Sequence, residues 1–175
     1  MLLKKHRLLI ALSAALFLFT PLQAAVDEQD FIANAELVGK ARYSFLLWDV
    51  YDASLYAPQG QWQANQPFVL SLSYLMNIKG ADIADRSVAE MRAQGFNDEL
   101  KLAAWHSQMR AIFPDVKNGS RLSAVFYPGK ETHFFNKNKP IGIIQNAEFT
   151  ERFFNIWLGE KSSEQQHRKQ LLGAE

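Results

Sequence analysis

Arg42 is the residue whose setting most strongly asks for chemistry. It stands between Gly39 and an aromatic, apolar run that begins at Tyr43 and continues through Phe45 and Leu47. An arginine keeps its proton, and burying it is costly unless an anion or oriented dipoles compensate. Turned into an apolar cleft, Arg42 implies a carboxylate or enolate-like ligand. Left at a strand edge, it snorkels to water. Lys40 and Ser44, its neighbours on the same strand face, offer no carboxylate to pair with it. Tyr74 is a second polar handle, a hydroxyl at the end of a strand of apolar neighbours, with plain core packing as its other reading. Aromatic residues make up 13% of the chain, which suits either a packed core or an apolar pocket with a few placed polar groups.

Other chemistry is sparse. The chain has no cysteine, which excludes disulfides, thiolate metal sites and cysteine nucleophiles. There is no glycine-rich phosphate loop, paired-histidine metal motif or nucleophile elbow. No cofactor is implied. His106, His133 and His167 stand alone and far apart, so exposed or hydrogen-bonded roles are favoured over catalysis or metal ligation. Asp49 and Asp52 straddle Tyr51, and strand alternation sends them to opposite faces, which argues against a carboxylate pair. With 19 Lys and Arg against 18 Asp and Glu, the formal charge is +1, without the basic excess of a nucleic-acid binder.

The elements that must position these residues follow an α+β order. Residues 1–24 read as a signal peptide: Lys4, Lys5 and Arg7, an apolar run from Leu8 to Phe19, then Ala24-Ala25 at the cut. The run is short for a membrane span of ~20 residues. The mature chain, 25–175, is expected to be one domain, periplasmic or secreted, with no membrane span after cleavage. From Glu36 the pattern is extended, and large apolar groups on both faces between Tyr43 and Tyr56 predict a central strand covered on both sides. Phe68 to Met76 alternates as a half-buried strand. A helix follows Gly80 and ends at Gly95. The next is capped by Asn97, carries Leu102, Trp105, Met109 and Ile112, and stops at Pro114. Three short strands with tight turns, between Arg121 and Ile144, read as an antiparallel meander. Two helices close the chain. The first carries Phe149, Phe153, Ile156 and Trp157, and the second starts near Ser163 with Gln166 as its capping-box partner.

The residue order resembles the chalcone isomerase-like family, and especially its secreted bacterial branch. The likeness rests on Asn118-Gly-Ser-Arg-Leu-Ser-Ala-Val-Phe-Tyr-Pro-Gly-Lys130, on Ile156-Trp157-Leu158-Gly159 and on Leu171-Leu172-Gly173. Upstream, Leu37 to Arg42 followed by Val50 to Tyr56 is similar to that family's first hairpin. The resemblance implies an antiparallel sheet with helices packed on one face, an open-faced β-sandwich. Its cleft holds a flavonoid in plant isomerases and a fatty acid in related binding proteins. The plant enzymes cyclise a chalcone with an arginine on the early strand, a hydroxyl on the next, and a tyrosine and an asparagine on the first helix. By that likeness Arg42 matches the arginine, Tyr51 the strand hydroxyl, and Thr150 a Ser/Thr that touches the flavonoid. Ile83 and Glu90 stand where the helix tyrosine and asparagine belong. An isoleucine cannot hydrogen-bond a carbonyl, and a glutamate opposes a phenolate. The expectation is a non-catalytic binder of a fatty acid or similar amphipathic carboxylate, with Arg42 on the acid group and Tyr51 or Tyr74 adding a hydrogen bond. The alternatives are an intramolecular lyase or isomerase on an unknown substrate, and a partner-binding protein whose cleft is filled by side chains.

Overall fold

The computed structural model describes residues 31–174; the expected signal peptide, 1–24, lies outside the described residues. Six strands form one sheet in chain order: β1 (Ala35–Phe45), β2 (Trp48–Pro58), β3 (Phe68–Tyr74), β4 (Arg121–Tyr127), β5 (Glu131–Asn136) and β6 (Lys139–Ile144). Every neighbouring pair is antiparallel. Helices α1 (Gly80–Ala93) and α2 (Glu99–Ile112) leave the sheet between β3 and β4, and α3 (Ala147–Leu158) and α4 (Gln165–Leu171) follow β6. This is the α+β, open-faced arrangement that the sequence predicts.

The α1–α2 excursion is clamped where it leaves and returns. Ile78 bridges Val116, the Tyr74 amide donates to the Ser120 carbonyl, and the Gly119 amide donates to the Tyr74 carbonyl. Gly80 opens α1 against the end of α2, where a Cβ would collide with the Phe113 carbonyl, and its amide donates to Asp115 at 2.9 Å. Gly39 plays the same role for α4, which lies so close that a Cβ would strike the Gln170 carbonyl. Side chains of one sheet face meet the helices: Ala53 and Leu55 of β2, Leu70 and Leu72 of β3, Ala124 of β4 and Phe134 of β5 are all buried. The helices answer with Met91, Trp105, Met109, Phe149 and Phe153. Burial on this scale, at about 25 cal/mol per Å² of apolar surface, drives the two layers together.

Three expectations are corrected. The apolar stretch from Tyr43 to Tyr56 is not one central strand. It folds back as the β1–β2 hairpin, with Phe45 opposite Trp48 and the chain turning through Leu46 and Leu47. No glycine, proline or asparagine marks that turn, and Leu46 takes the left-handed conformation at φ 55°. The α2 cap is Asp98, whose carboxylate accepts from the Lys101 amide at 3.1 Å, and not Asn97. The expected box at the start of α4 does not form, because the Ser163 hydroxyl is spent elsewhere, donating to Glu90 at 3.0 Å.

Candidate functional site

A cavity of about 320 Å³ lies between the sheet and α1, α3 and α4. That volume is within the roughly 300–1,000 Å³ typical of small-molecule sites. Its inner part is apolar, walled by Leu70, Leu72, Phe113, Phe134, Phe153 and Ile156. Its other end is polar, and strand register builds it. Tyr43 pairs with Tyr51 across β1–β2, and Tyr51 pairs with Tyr74 across β2–β3, so three tyrosines stand in one row facing the helices. Tyr43 and Tyr51 stack at 5.1 Å, and Tyr74 meets Tyr51 edge-on at 6.0 Å.

Each polar group here has a definable state. The Tyr51 hydroxyl accepts from Trp157 Nε1 at 3.0 Å, which leaves its own proton available to donate. The Tyr74 ring is 3% exposed, and its hydroxyl has no hydrogen-bond partner among the described residues. Burial raises the pKa of both phenols well above the usual tyrosine range, so both stay protonated. His167 of α4 lines the same end with its ring edge-on to Tyr43 and Tyr51. Burial pushes its pKa down, and a backbone hydrogen bond at Ala41 opposes that shift. His167 Nε2 is buried without a partner. On α1, Glu90 is buried and forms an ion pair with Arg86 one turn earlier, while accepting from Ser163. Arg86 is the only Lys or Arg among the described lining residues, and Asp82 and Glu164 also border the opening.

Tyr51 and Tyr74 thus fall where an apolar cavity meets its polar end. Ile83 and Glu90 line it too, as the resemblance to the plant segment places them. Arg42 and Thr150 do not. Arg42 sits next to Tyr43, and because Tyr43 faces the helices, Arg42 faces away. Its Nε and Nη2 donate to the two oxygens of Asp52 at 2.7 and 2.9 Å, and Nη1 donates to Asp49 at 3.0 Å, with half of the side chain exposed. The two aspartates share a face because the register slips between Tyr43 and Ser44, which reverses the alternation expected for Asp49. Thr150 is fully buried in α3 and accepts a 2.9 Å hydrogen bond from Thr132 of β5, away from the cavity lining. Sequence reasoning missed Tyr43, Arg86, Trp157 and His167. The Arg86–Glu90 spacing of four was legible, but such a pair reads as a solvated helix face.

His106 and His133 have the ordinary roles expected, bonded to Asp85 at 2.5 Å and to Glu131 at 2.7 Å. Among the described residues no group of three potential metal ligands comes together, and no helix is long and apolar enough to cross a membrane.

A six-stranded antiparallel sheet with one face closed by four helices over an apolar cavity defines an open-faced β-sandwich. The family follows from the sequence of that fold: a model described as chalcone isomerase-like matches residues 23–173, and the chain belongs to that family. An uncharacterized protein of Haemophilus influenzae is 28% identical over 142 residues, which cover 81% of this chain and 69% of the relative. Among solved structures, a fatty-acid binding protein of Arabidopsis thaliana superposes with a TM-score of 0.62 at 13% identity, over 81% of this chain and 88% of that one. At that identity the likeness speaks for the fold.

Proposed function

We propose that this protein is a secreted bacterial member of its family, which holds a fatty acid or similar amphipathic carboxylate without transforming it. The carrying observation is the shape of the cavity's chemistry: an apolar interior with one polar end. An alkyl chain fits the interior, where its burial supplies most of the affinity. The acid group belongs at the polar end. There Tyr51 and Tyr74 carry phenol protons, and Arg86 has donors beyond those used by Glu90. Arg86 therefore takes the role expected of Arg42. The resemblance to a fatty-acid binding protein supports this ligand class. Catalysis is disfavoured by the lining itself, since Ile83 offers no proton and Glu90 is engaged by Arg86 and Ser163.

The test combines native mass spectrometry of protein recovered from its host with titration by a fluorescent fatty acid. The expected result is a co-purifying lipid and one saturable site. Arg86→Ala should weaken binding by roughly three- to tenfold, the modest figure reflecting an arginine that is half in water. Ala124→Phe, which puts a ring into the cavity, should abolish binding while the circular dichroism spectrum stays native. A wild-type protein that takes up no fatty acid, or an Ala124→Phe variant that still does, overturns the proposal.

A further inference from the structure

The tip of the β1–β2 hairpin presents four consecutive large apolar side chains to solvent. Phe45 is 56% exposed, Leu46 82%, Leu47 95% and Trp48 70%. Met76, just beyond β3 and beside this hairpin, is 38% exposed. We propose that this tip inserts into the interfacial region of a lipid bilayer and holds the opening of the cavity against it.

Shape, spacing and charge carry the proposal. A two-residue hairpin turn favours glycine or asparagine wherever it needs left-handed backbone. Here Leu46 adopts φ 55°, so the turn forgoes the easier and more soluble residues and keeps apolar surface. All four consecutive residues of the hairpin end are exposed, whichever way alternation turns them, which suits an apolar medium that surrounds the tip. Trp48 adds an amphipathic ring of the kind that sits at membrane interfaces.

A polar collar limits the depth. Arg42 with Asp49 and Asp52, and Ser44 donating to Asp49 at 2.6 Å, lie behind the apolar tip. Arg42 is three strand residues before Phe45, a spacing of about 10 Å at the usual rise. That matches interfacial insertion of roughly 5–10 Å. The collar carries one cation against two carboxylates, so insertion is driven by apolar contact and needs no anionic lipid. Phe45 also lines the cavity, which makes the tip continuous with the opening. Docking stands on these features alone. Its use, exchange of an amphiphile between bilayer and cavity, rests on the proposed function.

The experiment uses a chain that starts at residue 25 and so keeps every described element, stripped of lipid and floated with phosphatidylcholine vesicles. Wild type is expected to float, to remain bound in about 0.5 M salt, and to show a blue shift of tryptophan emission that is lost in Trp48→Phe. The double variant Leu46→Gly/Leu47→Ser puts glycine at the left-handed position, so it should fold. It should bind vesicles at least tenfold more weakly. Its affinity for a soluble fluorescent fatty acid should be unchanged, which separates failure of docking from failure of the ligand reading. Wild type that stays out of neutral vesicles, binding seen only with anionic vesicles and lost in salt, or equal flotation of the double variant overturns the proposal. A wild-type dimer that the double variant abolishes, without vesicle binding, assigns the tip to a second copy of the chain instead.

Discussion

Replacing Thr150 by valine separates a structural hydroxyl from a ligand contact. Thr132 and Thr150 are both fully buried, and Thr132 donates to Thr150 across 2.9 Å between β5 and α3. Thr150→Val keeps the volume and deletes the acceptor, which leaves the Thr132 proton in an enclosed site. An orphaned buried hydroxyl costs about 1–3 kcal/mol. Thr132→Val should cost a similar amount by removing the donor. The double variant Thr132→Val/Thr150→Val removes both polar groups together and should be far less destabilised than the sum, with a coupling of about 1–2 kcal/mol. With a urea slope of about 2 kcal/mol per M, a loss of ~2 kcal/mol moves the unfolding midpoint by ~1 M. Urea titration followed by circular dichroism reads all three variants. Fatty-acid affinity should remain that of wild type in each. Additive losses would refute the reasoning by showing that each hydroxyl has another partner. A Thr150→Val protein of native stability but weakened ligand binding would return Thr150 to the site.

Arg42→Ala should leave fatty-acid affinity within about twofold of wild type, because the guanidinium is tied to Asp49 and Asp52 on the face away from the cavity; a tenfold loss by titration would contradict that placement. His167 should give the fold a pH dependence. Its folded pKa lies below the ordinary 6.5, so the unfolded chain binds the proton first. The stability it contributes is present above about pH 6.5 and is lost as pH falls, at up to roughly 1.4 kcal/mol per pH unit, until the folded pKa is passed. Thermal unfolding across pH 4–8, compared with His167→Gln, should show a shallower slope in the variant in that window.

The parts of the fold that were legible in the sequence are those whose signals are local. The turns at Pro128-Gly129 and Lys137-Asn138 delimited β4, β5 and β6, and the Leu102, Trp105, Met109 stripe fixed α2. The β1–β2 turn was not legible, because Leu46 and Leu47 continue the apolar pattern of the strands on either side. Periodicity alone therefore ran the two strands into one. The family resemblance, which set Leu37–Arg42 against Val50–Tyr56, reached the hairpin where hydropathy did not.

The site divides along the same line. Tyr51 and Tyr74 stand on one face because β2 and β3 pair without a break, while the slip against β1 begins just past the Tyr43–Tyr51 pair. Arg42 was misplaced because periodicity hid the hairpin. Asp52 stands directly opposite Arg42 in the regular β1–β2 register, and the slip between Tyr43 and Ser44 turns Asp49 to the same face as a second partner. An arginine with no visible counter-ion then has one, and the argument for a ligand anion at that position disappears. Arg86 and His167 could not be found by spacing, since α1 and α4 meet the tyrosine row only through long-range packing. The close approach at Gly39 is what allows α4 to lie against β1. That packing sets His167 beside Tyr43 and Tyr51, and it closes the polar end around groups 116 to 124 residues apart in the chain, the kind of assembly that only tertiary contact can specify.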